Sequence, residues 1–408
     1  MKTESKSAPE LRKFTKADPS KKGQWVRESL GVLYVVDGQV QFSDDHEHFA
    51  NGILRLLEVP EEKLTELIEV WVEQSLALHK KLPSQMPMDA REECLRLAAL
   101  MVFPPKADRL KELTAGANWG TDFLGTNPDT VYAGSISGNV ARGVVGCSTT
   151  GFAWLVDPLE KAPVHADSIV YDTAYYDDKP AGHYGPKQYL KQLDWRMQKA
   201  RRYTAHILEV SGARADKWLK NPSEASLLDV GSAIGLFRAA AAEYGLSHYG
   251  IDVSSDAIEH CKNNGFGYDS WLGSIFDIEK HAKPNQKFNI ITLWDVIEHI
   301  GNHVDAFKLV DKFLADDGVI VIRTPNLECI EAAILGDMYY SYKLDHTSYF
   351  SVRSLNSLFE QVGLVPIHTA TVSHMFKGCF GAQHLYDAGQ RLYGADILAV
   401  YARPGSVG

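Results

Sequence analysis

An acid and two glycines lie together where an apolar run gives way to an alanine-rich segment. In the stretch LLDVGSAIGLF these residues are Asp229, Gly231 and Gly235. Glycine in an ordered element costs conformational entropy, so the pair indicates that the backbone must approach a bulky ligand closely. Asp252 ends the next predicted strand about 20 residues later, the distance at which an acid accepts both hydroxyls of a ribose. Together these residues predict a nucleoside pocket.

Two kinds of nucleoside cofactor compete for such a pocket. A dinucleotide site needs G-x-G-x-x-G, with the pyrophosphate at the N-terminus of the following helix. The loop reads G-S-A-I-G here, with Ala233 in place of the middle glycine. The acid before the first glycine, Asp229, instead suits a cationic cofactor that contains an amino acid and no phosphate, and S-adenosylmethionine is such a molecule. A dehydrogenase is the weaker alternative.

Polar residues follow two later predicted strands. The stretch FNIITLWDVIEHI ends in Trp294, Asp295, Glu298 and His299, and the stretch LDHTSYF places Asp345, His346 and Tyr349 on a polar loop before a helix. A neutral histidine near pH 7 can remove a proton from an acceptor. His346 is therefore the first candidate for a general base and His299 the second, although His299 could equally be a packed core histidine.

From residue 226 onward, strands and helices are predicted to alternate. The predicted strands are Ser226–Val230, His248–Val253, Asp269–Leu272, Phe288–Asp295, Val319–Thr324, Val365–Val372 and Asp396–Ala402. The predicted helices are Leu236–Tyr244, Asp256–Asn264 and Val304–Leu314. Strands separated by helices are typical of a parallel sheet. The predicted fold class is therefore α/β, a Rossmann-like domain with its ligand at the carboxyl edge of the sheet.

The chain before this alternation has a different character. Residues 1–24 are polar and lysine-rich and are predicted to form a disordered arm. Two apolar runs joined at Asp37 and Gly38 predict a hairpin, and the stretch from Pro60 to Leu82 predicts a helix with an apolar stripe that includes Trp71. We place a mostly helical region with an irregular or β-rich connector at 25–165 and the α/β domain at 166–408. We expect the helical region to cover the acceptor pocket or to form a homodimer.

Composition limits the classes of partner. The 408-residue chain has a formal net charge of -10, which argues against nucleic acid or an anionic membrane surface as a partner. No run of about 18 apolar residues is present, so no membrane span is predicted. The cysteines, at positions 94, 147, 261, 329 and 379, form no Cys-x-x-Cys pair. This usage fits a reduced, cytoplasmic protein.

A family resemblance rests on five stretches in a fixed order. The stretches LLDVGSAIG, GIDVS, FNIITLWDVIEHI, DDGVIVIRTPN and DHTSYFS closely resemble class I S-adenosylmethionine-dependent methyltransferases, in the branch that acts on sugars and other small metabolites. The resemblance implies a seven-stranded, mostly parallel sheet and S-adenosylmethionine as cofactor. It also implies methyl transfer to a small-molecule acceptor, most simply a hydroxyl.

The resemblance further implies which residues form the site. The cofactor-binding residues would be Asp229, Gly231, Ser232, Gly235, Asp252, Val253, Ser274, Ile275, Trp294, Asp295 and Tyr176, the last from the lead-in YDTAYYDD. The catalytic residues would be His346 and His299. Tyr175 and Tyr176 are either core aromatics or a cover over the cofactor.

Two departures from the family pattern leave alternatives open. Ala233 stands where the family usually has glycine, and the zinc ribbon that often begins this branch is reduced to Cys147 in GCSTTGFAWLVDP. His46 and His48 are close in sequence but lack partners, so no metal site is predicted. The rival hypothesis is a non-catalytic S-adenosylmethionine-binding assembly or regulatory subunit. A methyltransferase that acts on nitrogen, sulfur or carbon is the other alternative.

Overall fold

The computed structural model of the chain describes residues 33–36, 39–42, 119–133, 142–157, 159–160, 162–164, 193–263, 269–329, 331–332, 339, 341–372 and 393–405. Some predictions lie outside these residues. They concern the arm at 1–24, the helix with Trp71, the neighbouring His46 and His48, and the pair Tyr175 and Tyr176. They stay predictions.

The described strands and helices are numbered here in chain order. The strands are β1 Leu33–Val36, β2 Gln39–Phe42, β3 Thr130–Ala133, β4 Gly143–Cys147, β5 Phe152–Asp157, β6 Ala162–Pro163, β7 Ser226–Val230, β8 Ser247–Asp252, β9 Ser270–Leu272, β10 Phe288–Trp294, β11 Leu314–Pro325, β12 Ser348–Phe350, β13 Val365–Val372 and β14 Asp396–Ala402. The helices are α1 Leu193–Ser211, α2 Ala213–Lys220, α3 Leu236–Ala242, α4 Ser255–Asn263, α5 Ile278–His281, α6 His303–Asp311 and α7 Val352–Gln361. Short 3-10 turns lie at Ile275–Asp277 and Ile297–His299.

A seven-stranded sheet forms the centre of the α/β domain. Its strands lie in the order β13-β14-β11-β10-β7-β8-β9. The five strands from β11 to β9 in this order pair in parallel, and β14 runs antiparallel to β11. The predicted Rossmann-like α/β class and the predicted strands of this sheet are confirmed. Because parallel strands end at the same edge of a sheet, Val230, Asp252, Leu272 and Trp294 all reach that edge.

The central strands of this sheet are buried on both faces. Strand β10 reads FNIITLW, and its Ile290, Ile291 and Leu293 all lie in the core. Parallel strands that helices cover on both faces read as continuous apolar runs in this way. On α3, which lies against β7 and β8, Ala240 and Ala241 are fully buried. Their small side chains let the helix approach the sheet closely.

The predicted helix Val304–Leu314 extends too far at its C-terminal end. Helix α6 ends at Asp311 instead of Leu314, and the chain turns after it through Lys312 and Phe313. Leu314 lies instead at the start of β11, opposite Phe288, and it is fully buried. The apolar period correctly predicts that Leu314 is buried. It does not distinguish the end of a helix from the start of a strand, because both bury the same residue.

A second, antiparallel sheet is formed mainly by the stretch predicted as an irregular or β-rich connector. Strands β12, β5, β4 and β3 lie side by side in that order, and β6 pairs with β5. Strand β12 contains Tyr349, which the sequence predicts to be in a loop. That prediction is wrong because the backbone of β12 pairs with β5, where Phe152 lies opposite Phe350 although the two are far apart in sequence.

Phe152 joins the antiparallel sheet to the core of the α/β domain. Its ring centroid is 5.0 Å from that of Phe350, 5.0 Å from that of Phe123 and 5.8 Å from that of His303. Edge-on aromatic contacts of this kind add to the free energy gained by burying the rings. The antiparallel sheet is therefore part of one packed core with the seven-stranded sheet.

The chain groups into two compact units. One consists of Lys106–Glu328, Tyr342–Ala370 and Asp396–Gly408, and it contains the antiparallel sheet and nearly all of the seven-stranded sheet. This unit begins at residue 106, whereas the predicted α/β domain begins at 166.

The other unit consists of Met1–Pro105, Cys329–Ser341 and Thr371–Ala395, and it includes β1 and β2. These strands pair antiparallel with Val36 opposite Gln39, which confirms the predicted hairpin. None of the helices in the described part of the chain is long and apolar enough to cross a membrane.

Candidate active site

The glycine loop joins β7 to α3 at the carboxyl edge of the seven-stranded sheet. Gly231 and Gly235 have φ angles of 69° and 87°, in the left-handed region that glycine adopts without strain. A Cβ on Gly231 would lie 2.3 Å from Cγ2 of Val296, so this position has no room for a side chain. Ala233 has a φ of 45°, which explains why glycine is the usual residue at that position.

Asp252 ends β8 and holds the glycine loop in place. Its Oδ2 accepts a hydrogen bond from the Ala233 amide at 2.7 Å, and its Oδ1 accepts one from the Ser254 amide at 2.8 Å. The residue is 8% exposed, and burial raises the pKa of Asp252 above its usual value. Each carboxylate oxygen can accept more than one hydrogen bond. Asp252 can therefore hold the loop and still accept the hydroxyls of a ribose.

Asp229 lies in β7, just before the loop. It is 2% exposed, and its Oδ1 accepts a hydrogen bond from Thr292 Oγ1 at 2.7 Å. Burial raises the pKa of Asp229 to about 7, although the Thr292 bond and the charge of Arg238 oppose the rise. Arg238 is fully buried on α3 and donates to Ser270 Oγ at 2.6 Å. Sequence motifs do not identify Thr292 or Arg238, because each acts through a contact between neighbouring elements.

The ends of β8 and β9 present apolar surface beside Asp252. Val253 follows Asp252 and is 52% exposed, and Leu272, the register partner of Asp252 on β9, is also 52% exposed. Ser274 caps the next 3-10 turn with its side chain. Ile275 is buried in the core, so only its backbone could meet a ligand.

Trp294 and Asp295 lie at the end of β10. The Trp294 ring stacks on Phe237 of α3, with centroids 4.0 Å apart and 10° between the planes, and it also contacts Tyr203 of α1. Asp295 has a φ of 54° and forms an ion pair with Arg323 of β11. Trp294 therefore packs among the helices at this edge. The positive φ of Asp295 is strained because the residue is not glycine, and such strain concentrates at functional sites.

A second group of polar side chains, the histidine cluster, consists of Glu298, His299 and His346. The two imidazole rings have centroids 4.8 Å apart and are nearly perpendicular, at 82°. One carboxylate oxygen of Glu298 and one ring nitrogen of each histidine lie within 4.8 Å of one another. The fold thus brings together the two predicted catalytic histidines.

The protonation of His299 follows from its neighbour. Its Nδ1 lies 2.8 Å from the backbone oxygen of Asp345. Because a carbonyl oxygen can only accept, Nδ1 carries the proton, and Nε2 is the unprotonated nitrogen of the neutral ring. Burial lowers the pKa of His299, against the opposing charge of Asp345, which keeps the ring neutral near pH 7. A neutral imidazole of fixed tautomer can accept a proton or bind a metal ion.

Glu298 is 1% exposed. Its Oε2 accepts a hydrogen bond from Thr324 Oγ1 at 2.9 Å, whereas its Oε1 has no hydrogen-bond partner among the residues that the structure describes. Burial, with the charge of Asp295, raises the pKa of Glu298 well above its usual value. A buried carboxyl oxygen without a partner is costly, so this group points to a function.

His346 is 4% exposed, so the predicted polar loop is in fact buried at this residue. The adjacent Asp345 is 2% exposed. Tyr349 is buried too, and its hydroxyl donates to the backbone oxygen of Lys343 at 3.1 Å, which makes it a packing residue of the same segment. These residues are buried because β12, which follows His346 closely, pairs with β5.

Two other residues of chemical interest pack in the structure. His303 lies edge-on against the rings of Phe152 and Phe350, and burial lowers its pKa to about 4. Cys147 is buried, and its thiol donates to the Asn127 carbonyl oxygen at 2.9 Å. Burial raises the pKa of that thiol. Both side chains are therefore neutral packing groups.

The segment that contains this site matches known methyltransferases. Residues 195–369 match the family model described as a methyltransferase domain. The chain is similar to the ubiquinone biosynthesis O-methyltransferase of Pelagibacter ubique (strain HTCC1062), with 34% identity over 132 residues, 31% of this chain and 52% of that protein. It is also similar to the ubiquinone biosynthesis O-methyltransferase of Actinobacillus pleuropneumoniae serotype 5b (strain L20), with 29% identity over 121 residues, 28% of this chain and 52% of that protein.

The chain spans about half the length of these curated relatives, 52% in both cases. Among solved structures, magnesium protoporphyrin IX methyltransferase from Synechocystis PCC 6803 with bound SAH aligns at 12% identity and a TM-score of 0.37, over 56% of this chain and 91% of that chain. The family match covers β7 to β11, the glycine loop, Asp252 and the histidine cluster. Residues 195–369 therefore resemble a methyltransferase domain, and they carry the α/β fold described above.

Proposed function

We propose that this chain transfers a methyl group from S-adenosylmethionine to a hydroxyl group of a small molecule. The observation that supports the cofactor most directly is the position of Asp252, which ends β8 and is bonded to the glycine loop through the Ala233 amide. The relatives that match the chain are O-methyltransferases of ubiquinone biosynthesis, and this supports oxygen as the acceptor atom.

The charges and the exposed apolar side chains at this edge of the sheet support this cofactor. Asp252 would accept the ribose hydroxyls, the exposed Val253 and Leu272 would pack against the base, and Asp229 would offset the charge of the ammonium group. Gly231 has no side chain to keep the ligand from the backbone. Bound S-adenosylmethionine supplies a methyl group on a positively charged sulfur that leaves readily. The chain therefore needs mainly to hold the reactants in line and to exclude water.

A hydroxyl acceptor must lose its proton as the oxygen–carbon bond forms and the carbon–sulfur bond breaks. When no metal ion occupies the histidine cluster, we assign the general base to His346. The ring of His299 lies 4.8 Å from it and is itself fixed by the bond from its Nδ1 to the Asp345 carbonyl. A positioned base contributes about 100- to 10,000-fold to the rate of such a step.

Calorimetry with S-adenosylmethionine tests the cofactor assignment. Replacing Asp252 with alanine should weaken binding by about 2–3 kcal/mol, because a charged hydrogen-bond partner is lost. Asp317→Ala is the matched control, since Asp317 bonds Asn289 and Lys217 at the opposite edge of the sheet. Its affinity should equal that of the parent. An unchanged affinity in Asp252→Ala would contradict the assignment.

Turnover tests the general base. With a panel of phenolic and sugar hydroxyls as acceptors and S-adenosylhomocysteine release as the readout, His346→Ala should lower turnover about 100- to 10,000-fold. Its affinity for S-adenosylmethionine should not change. His299→Ala is the comparison, because loss of a packed histidine should lower the free energy of unfolding more than turnover. Turnover of His346→Ala within a factor of about three of the parent would rule out His346 as the base, because a general base contributes far more than this to the rate.

A non-catalytic subunit that binds S-adenosylmethionine is the second candidate, because Ala233 replaces a glycine. In the structure Ala233 takes a φ of 45°, and its amide still reaches Asp252. The replacement therefore keeps the hydrogen bond between the loop and Asp252. The same two assays separate the candidates: cofactor affinity without turnover on any acceptor would favour the subunit.

A homodimer formed through the predicted helix with Trp71, in the cytoplasm, is a further part of the proposal. The thiols of Cys147 and Cys261 are buried, which suits a reducing compartment. Sedimentation of the full chain should give twice the 45.3 kDa mass of one chain. Trp71→Glu should lower the measured mass toward that of one chain. A parent chain that sediments as a monomer would exclude the dimer.

A further inference from the structure

We infer that the histidine cluster is a binding site for a divalent transition-metal ion, held by Glu298, His299 and His346. Spacing along the sequence predicts no metal site, because Glu298 and His299 follow β10 whereas His346 precedes β12. In the structure, one ligand atom from each lies within 4.8 Å of the other two. Two imidazoles and one carboxylate are a common set of protein ligands for such an ion.

The distances suit one ion after a small adjustment. Metal–ligand bonds of about 2.1 Å place two ligand atoms about 3–4 Å apart, so side-chain movements of about 1 Å would close the set. Glu298 and His346 are buried, and the side chain of His299 is 15% exposed. His299 is therefore the ligand most open to solvent.

The neighbours of His299 orient it as a ligand. A metal-binding histidine usually donates its second N–H to a carboxylate or a backbone carbonyl, which fixes the tautomer and the direction of the ring. His299 has this arrangement, with Nδ1 2.8 Å from the Asp345 carbonyl oxygen. Its Nε2 is left as the nitrogen with the lone pair.

The neighbours of Glu298 also orient it as a ligand. Thr324 Oγ1 donates to Oε2 at 2.9 Å and thereby fixes the plane of the carboxylate. Oε1 is buried and has no hydrogen-bond partner within the described part of the chain. Buried polar atoms are almost always satisfied. An ion beside Oε1 would supply the missing partner.

The charges around the cluster also favour a cation. Asp345 is 2% exposed, and its Oδ2 lies 3.9 Å from His299 Nδ1. Asp295 acts on Glu298 electrostatically, but its side chain is half exposed and paired with Arg323, whose charge also reaches Glu298. Lys343 is a positive charge near His299. Glu298 and Asp345 are the buried carboxyl groups, and like charges in a poorly solvated region disfavour one another. A divalent ion offsets that repulsion.

The ligand types select the kind of ion. Magnesium and calcium prefer oxygen ligands alone, whereas zinc, cobalt, iron and manganese accept imidazole with carboxylate. Three protein ligands leave a position for an oxygen of the acceptor, and an ion would lower the pKa of a hydroxyl in that position. This use rests on the proposed function, and His346 would then be a ligand instead of the general base. The binding of the ion does not depend on that function.

A cobalt titration of the full chain tests the inference. The chain is stripped with EDTA and titrated with Co²⁺ without cofactor or acceptor, and the visible absorption of the ion reports its coordination. We expect one Co²⁺ per chain, displaced by Zn²⁺ and not by Mg²⁺. Glu298→Gln, which keeps the shape of the side chain, should weaken binding at least about 100-fold, because a hydrogen-bonding neighbour of a ligand alone contributes 10- to 100-fold. His346→Gln should weaken it similarly.

The matched control is His368→Ala. His206 and His368 have their Nε2 atoms 3.2 Å apart, so this pair is a second place where two imidazoles could hold Co²⁺. Circular dichroism and urea unfolding confirm that each variant is folded. Binding that is retained in His368→Ala and lost in both cluster variants supports the inference. Absence of saturable Co²⁺ binding in the parent overturns the inference. A Co²⁺ affinity that is lower in His368→Ala but unchanged in Glu298→Gln also overturns it. A chain that binds no ion and still transfers methyl groups keeps the proposed function and loses this site.

Discussion

The protonation of Asp229 should be linked to cofactor binding. Burial raises its pKa to about 7, so near neutral pH the free chain holds this proton about half of the time. A neighbouring ammonium group favours the ionised form. Binding of S-adenosylmethionine should therefore release about one proton at pH 6 and almost none at pH 8.5. Calorimetry in buffers of different ionisation enthalpy counts these protons, and a count that does not vary with pH would place the ammonium elsewhere.

The same carboxyl should make stability depend on pH. The folded pKa of about 7 exceeds the ordinary 3.8, so the folded chain binds the proton more tightly than the unfolded chain. The free energy of unfolding should then be highest below pH 4 from this group and fall by on the order of 4 kcal/mol as the pH rises through 7. Asp229→Asn should remove that loss. Urea unfolding at several pH values measures it, with Asp305→Asn, an exposed acid of α6, as the control.

The glycine loop allows opposite substitutions to be compared. Ala233→Gly should stabilise the chain by about 0.5–1 kcal/mol, because relief of the left-handed backbone exceeds the added entropy of glycine. Gly231→Ala should destabilise it by about 1–3 kcal/mol, since a Cβ would overlap Val296 and the backbone is left-handed there too. Val296→Ala in the same chain should recover part of that loss. Thermal unfolding of these three variants and of Val296→Ala alone checks these signs, and strict additivity of Gly231→Ala and Val296→Ala would show that Val296 does not cause the clash.

At the scale of elements, the stability of both sheets depends on Phe152. Its ring contacts Phe123, Phe350 and His303, and it lies in the shared core. Phe152→Ala should lower the free energy of unfolding by about 3–5 kcal/mol, because a large cavity would remain. Leu159→Ala, at a residue that is 79% exposed, should change it little. Two separate unfolding transitions in the parent would show that the sheets do not share one core.

The strands of the seven-stranded sheet could be predicted from sequence because each is a short apolar run with its own ends. The positions of Gly231 and Asp252 could be predicted too, because both lie where adjacent strands end. Strand β12 could not be predicted in this way. It has three residues, and it is a strand only because β5 lies beside it. Local pattern contains no information about a partner so distant in sequence.

The candidate site also contains features that the sequence predicts and features that depend on the pairing of distant strands. Sequence identifies His299 and His346 as residues that could do chemistry, but their proximity follows from the pairing of β12 with β5. Thr292 and Thr324 matter because their hydroxyls reach Asp229 and Glu298 from neighbouring strands. A threonine inside an apolar strand reads as an ordinary β-former. Its hydrogen-bond role appears only when the register is known.

At the scale of the whole molecule, the limits of the folded unit can be tested by truncation. A chain that begins at residue 166 lacks Trp119, Val145, Phe152 and Trp154, all of which lie in the core. It should fail to fold, as circular dichroism and calorimetry with S-adenosylmethionine would show. A chain that begins at residue 25 lacks only the predicted arm and should behave like the parent. A folded, cofactor-binding chain from residue 166 would confirm the predicted boundary instead.

The pairing of β12 with β5 also has a consequence during synthesis on the ribosome. Strand β5 ends at Asp157, but β12 begins only at Ser348, so one edge of β5 lacks its partner while the intervening chain is translated. At about 5–20 residues per second this interval lasts roughly 10–40 s. An open apolar strand edge invites pairing with other chains. The yield of active protein in a cell should therefore depend on chaperone supply and on the speed of translation between these two strands, even where the codons lie far from any residue of the site.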